Sequence, residues 1–120
     1  MASSPKRKQK FSGNRFGLPR ARLDALVAQA TIDAYGDSEQ RCGFFTMLEE
    51  HLDLPFETEV LGKTVIVERL DINEADEIVA VCRSGSRRQR VSILDLPLPN
   101  PAPRGAEWIA AYRHWLGIGS

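Results

Sequence analysis

At Pro55 the spacing of apolar residues changes, and that change constrains the fold more than any other feature of this 120-residue chain. Before it, Leu23, Leu26, Val27, Ala30 and Ala34 recur three and four apart, as do Phe44, Phe45, Leu48 and Leu52. That is the stripe a helix buries. After it, Phe56, Thr58 and Val60 alternate with Glu57 and Glu59, the period-two pattern of a half-buried strand. Helical and extended halves in succession specify an α+β domain.

The local signals divide the two halves further. Pro19 suits a first helical turn, and the stripe from Arg20 to Tyr35 predicts one helix stopped by Gly36. Asp37 with Gln40 three residues on reads as an N-cap with a capping box, opening a second helix that Pro55 ends. Gly62 and Ser84-Gly85-Ser86 mark turns. They separate strands expected at Phe56 to Val60, Thr64 to Leu70, Ile78 to Arg83 and Arg87 to Leu94, with Asp71 to Asp76 as a polar loop. Four prolines between Leu96 and Pro103 allow neither a helix nor a central strand, so that stretch is a stiff connector. Trp108, Ile109, Tyr112, Trp115 and Leu116 then mark a closing helix from Gly105 to Leu116. The expected architecture is two helices, a four- or five-stranded antiparallel meander resembling a curled SH3-type sheet, and a C-terminal helix. Residues 1–18 have too few bulky apolar side chains to offset the entropy of ordering. They read as a disordered basic arm ahead of one domain at 19–117.

Composition matters through its arrangement. Sixteen basic and sixteen acidic residues cancel, yet residues 1–23 carry seven cations and no acid, residues 24–77 a net of minus eleven, and residues 78–120 a net of plus four. An acidic middle suits cations or basic partners, and a basic arm suits polyanions. The longest apolar runs are four or five residues, so no membrane partner is expected. Two cysteines forty residues apart form no disulfide framework, which fits a reducing compartment.

Catalytic signatures are missing. There is no nucleophile elbow, Walker loop or dinucleotide fingerprint. His51 and His114 have no recognisable nucleophile nearby in sequence, and the cysteines and histidines lack zinc-site spacing. Both thiols read as buried. The chain is therefore read as no enzyme. An EF-hand is excluded as well. The loop Asp71-Ile72-Asn73-Glu74-Ala75-Asp76 offers oxygens at its first and third positions, but has Asp76 where glycine is required and Cys82 where a bidentate Glu belongs.

The ordered series Ile32-Asp33-Ala34-Tyr35, Glu39-Gln40, Gly43-Phe44-Phe45, Leu48-Glu49-Glu50 and Pro55-Phe56 resembles the small calcium-binding protein family first known from cyanobacteria. The likeness is best over Thr31 to Phe56 and extends toward Trp115. It implies a bacterial, cytoplasmic calcium buffer or modest sensor with Ca²⁺ as its ligand. It carries Asp33, Glu39, Glu49 and Glu50 over as candidate metal ligands. Asp37 and Asp53 join them on chemistry, because they lie beside those carboxylates in sequence. Calcium takes six to eight oxygens, several of them charged. Neighbours on a helix diverge by about 100°, so Glu49 and Glu50 cannot both face one ion squarely.

Two other readings compete. Cations interleaved with aromatics at Lys6, Arg7, Lys8, Lys10 and Arg15, with Arg87, Arg88 and Arg90 at a hairpin, suit nucleic acid. Against this, the chain from Leu23 onward is net negative. The third reading is a domain that docks an unidentified protein without ion chemistry.

Overall fold

The structure is a computed structural model and describes residues 17–118. The expectations placed on residues 1–16, including Lys6, Arg7, Lys8, Lys10 and Arg15, fall outside the described residues. Helix α1 spans Arg20–Ala30 and α2 spans Asp37–His51. Strands β1 (Phe56–Val60), β2 (Lys63–Ile72), β3 (Ile78–Ser84) and β4 (Arg87–Ser92) follow, and α3 (Glu107–Leu116) closes the chain. The strands form one antiparallel sheet in the order β1-β2-β3-β4, so the α+β class and the meander stand as read. The sheet has four strands; the stretch after Ser92 is a turn and then the proline-rich connector.

Alternation decides which face the core takes. Val65 and Val67 of β2 and Ile78, Ala80 and Cys82 of β3 are nearly or wholly buried beneath the helices. The helices contribute Leu26, Ala30, Phe44, Leu48, Trp108, Ile109 and Tyr112 to the same cluster. Phe44 stands 5.4 Å from both Tyr112 and Trp115 by ring centroid, which seats α2 against α3. Thus the aromatics fix the helices, as their spacing implied. Central β3 is buried on its other face too. There Val81 lies between Arg69 and Arg90 in the register, where long basic side chains can cover it.

Two glycines allow close approaches. A Cβ at Gly43 would overlap the carbonyl oxygen of Ala30, so α2 meets the end of α1 backbone to side-chain face. Gly105 has a φ of 92° and lies against the carbonyl of His51, which brings the end of the connector onto the end of α2. The connector itself crosses β1, where the buried Thr58 hydroxyl donates to the Pro97 carbonyl at 2.6 Å.

The first helix stops five residues short of the expected Tyr35. Thr31 turns back on the helix, its backbone N–H and its hydroxyl both donating to the Val27 carbonyl at 3.0 and 2.8 Å. Asp33 then takes a left-handed φ of 59°, a conformation a short polar side chain tolerates. The expected capping box is also corrected. Gly36 is the N-cap with φ of 97°, and Asp37 is the first helical residue. One of the two thiols departs as well: Cys82 is buried, but Cys42 is exposed. Burial pushes the Cys82 thiol pKa up.

Candidate metal site

The six candidate carboxylates occupy the two ends of α2. Asp33 lies in the α1–α2 turn, and Asp37 and Glu39 in the first turn of α2, all exposed. Glu39 reaches back, its Oε1 accepting the Tyr35 N–H at 2.6 Å, which leaves its other oxygen to solvent. At the far end Glu49 and Glu50 are exposed in the last turn and Asp53 lies just beyond it. The Asp53 N–H donates to the Arg104 carbonyl at 2.8 Å, which ties this end to the connector. Ten residues of helix at 1.5 Å each separate Glu39 from Glu49 by about 15 Å. The residues therefore form two groups of three. Among the described residues, no three His, Cys, Asp or Glu side chains already converge on a point that could hold a metal ion.

Elsewhere in the acidic segment three carboxylates pair with arginine, whereas Glu57, Glu59, Glu74 and Glu77, like the six, have no Lys or Arg partner among the described residues. Glu68 takes Arg83 at 2.7 Å and Arg88 at 2.9 Å; Asp71 takes Arg90 at 3.1 Å; Asp76 takes Arg41 at 2.9 Å. None of the six candidates has a Lys or Arg partner among the described residues; Glu50 lies 4.0 Å from His51. Unneutralised, solvent-facing carboxylates fit the hard oxygen donors calcium requires. Each group offers at most three charges, so water or backbone carbonyls would have to complete the shell.

The loop after β2 is closed on itself. Asn73 Oδ1 accepts the N–H groups of Ala75 and Glu77, and Asn73 Nδ2 donates to Glu77 Oε1. Asp71 and Asp76 of this loop are paired as well, with Arg90 and Arg41. Gln40, next to Glu39 in sequence, has its side-chain oxygen engaged: Oε1 accepts the Trp115 indole N–H at 2.9 Å.

Sequence reasoning missed Arg41. Its Nη1 binds Asp76, its Nε donates to the Tyr112 hydroxyl at 3.2 Å, and its guanidinium lies 5.4 Å over the Trp115 ring. Burial opposes its charge, but Tyr112 and Asp76 outweigh that and raise its pKa. One side chain thereby joins α2, α3 and the β2–β3 loop. The signal was present, since Arg41 is the lone Lys or Arg between Leu23 and Gly62.

The histidines are placed as boundary residues. His51 stacks on Trp108 at 5.5 Å, and His114 Nε2 lies 2.7 Å from Asp24 Oδ1. Of the hairpin arginines, Arg88 and Arg90 are committed to Glu68 and Asp71. No helix among the described residues is long and apolar enough to cross a membrane.

A family described as calcium binding matches residues 24–116. A solved structure titled "Calcium binding protein in the calcium-binding form" superimposes with a TM-score of 0.66 at 17% identity. The alignment covers 92% of this chain and 98% of that one. At this identity the likeness concerns the fold. No curated protein matches the chain.

Proposed function

The chain belongs to this calcium-binding family and binds Ca²⁺, and from that premise we propose that it is a non-enzymatic cytoplasmic buffer or modest sensor whose ligands are the carboxylates at the ends of α2. The observation that supports the assignment is the gathering of six exposed carboxylates into two groups of three at the ends of α2, within the matched region. Asp33, Asp37, Glu39, Glu49, Glu50 and Asp53 have no arginine partner among the described residues, a state they share with Glu57, Glu59, Glu74 and Glu77 but not with Glu68, Asp71 and Asp76. The roughly 15 Å between the two groups makes them two sites, or one site and one solvated face, rather than a single cluster.

Two double variants separate these cases. Asp33→Asn with Asp37→Asn removes two of the three charges at one end, and Glu49→Gln with Glu50→Gln two of the three at the other. Glu74→Gln with Glu77→Gln, in the closed loop, is the matched control. A ligating group loses calcium affinity at least tenfold, about 1.4 kcal/mol, in low and high salt alike. The metal-free variant stays as stable as the parent or gains slightly, because like charges have been removed. A solvated face instead gives small effects equal to the control's, erased by salt. That result at both ends would remove the residue assignment.

A further inference from the structure

The two hairpin tips flank a pocket of about 290 Å³ lined by Val60, Leu61, Lys63, Val65, Ser84, Arg87, Arg88 and Gln89. No helical residue contributes to it. The register shows how it arises. Val60 pairs with Lys63 and Thr58 with Val65, while Ser84 pairs with Arg87 and Cys82 with Gln89. Since Thr58, Val65 and Cys82 are buried in the core, all of these side chains except those of Leu61 and Arg88 belong to the core-facing side of the sheet. The pocket is thus the end of the core face that the helices leave uncovered.

Its chemistry is one-sided. Val60 and, beneath it, Val65 supply an apolar floor, and Ser84 and Gln89 supply neutral polar atoms. No carboxylate lines it. Arg88 is committed to Glu68, but Lys63 and Arg87 have no acidic partner among the described residues. At the lip, Leu61 is 99% exposed and holds a left-handed φ of 52° in a two-residue hairpin turn. Such a turn is easiest for Asn or Gly, so a fully exposed leucine there adds apolar surface where the turn itself does not ask for it.

We propose that this pocket binds a small amphipathic anion, with its apolar body on Val60, Val65 and Leu61 and its carboxylate or phosphate between Lys63 and Arg87. The charge complement selects the anion, and the volume, at the low end of ligand pockets, selects a small one. The proposal does not depend on the calcium sites. Salt alone would not reproduce it, because apolar and charged parts must bind together.

Hexanoate titrated into the full chain, followed by amide chemical shifts, tests it. Hexanol carries the apolar part alone and acetate the charge alone, all at one ionic strength. Saturable shifts confined to residues 60–65 and 84–89 are expected with hexanoate, at least tenfold weaker with either control. Lys63→Gln with Arg87→Gln, both at exposed positions, should weaken hexanoate at least fivefold while leaving the rest of the spectrum unchanged. Leu61→Asn should weaken it too. Hexanol binding as well as hexanoate, acetate reproducing its shifts, an unaffected double variant, or no saturable shift would each overturn the proposal.

Discussion

Glu68 owes its setting to an irregularity in β2. The register between β2 and β3 shifts between Val67 and Arg69, so Glu68 is the extra residue of a bulge. Bulges re-aim side chains, and this one meets the guanidiniums of Arg88 and Arg83. Bonding first to Arg88 and then to Arg83 holds its carboxyl pKa below the usual range. A lowered folded-state pKa contributes stability that is present above the unfolded value and is lost as pH falls through the folded one. Glu68→Gln should therefore melt below the parent at neutral pH, and the gap should close as pH falls below the ordinary carboxylate range. Paired melting curves from pH 7 to pH 3 check this; a gap that is constant with pH would show that the charge is not what matters. This arrangement was not legible in the sequence, because the Thr64 to Leu70 pattern carries no mark of a bulge. Asp37 and Gln40 show the converse. The spacing of a capping box was present, yet the left-handed glycine at 36 took the cap and Trp115 took the Gln40 oxygen.

At the scale of elements, the reading succeeded wherever a period ran long enough. The change at Pro55, the alternation of β1 and the aromatic face of α3 each placed an element within a few residues of where it lies. The end of α1 was misplaced because Ala34 kept the stripe going past Thr31, whose hydroxyl competes for the helix's own carbonyl. Tertiary closeness was equally hidden. Gly43 looks like a weak point in a helix, but its missing side chain is what admits the Ala30 carbonyl. Alanine at 43 gains about 1 kcal/mol of helix propensity. It must also push apart two backbones that cannot yield as a flexible side chain would, an overpacking cost of about 1–3 kcal/mol. Gly43→Ala is expected to lower the melting temperature by several degrees, read by calorimetry. A higher melting temperature would mean that α1 and α2 are not held this closely.

Over the whole molecule, the charge blocks are the sequence feature that best foreshadowed function. The acidic segment holds both ends of α2, and the structure divides its carboxylates into those locked by arginine and those left to solvent. The sequence showed the excess of acid but not this division, which depends on which strands pair. The length of α2 then separates the six candidates into two groups. The central claim is that the free carboxylates chelate rather than merely attract cations. Calorimetric titration of the metal-free protein with Ca²⁺, repeated with Mg²⁺ at low and high ionic strength, addresses it directly. Chelation by flexible carboxylates predicts saturable heat with Ca²⁺ that persists in high salt. Mg²⁺ should bind more weakly, since it demands near-ideal octahedral geometry and gives up water reluctantly. Traces that are the same for both ions and vanish with added salt, or no saturable heat with Ca²⁺ at all, would contradict it.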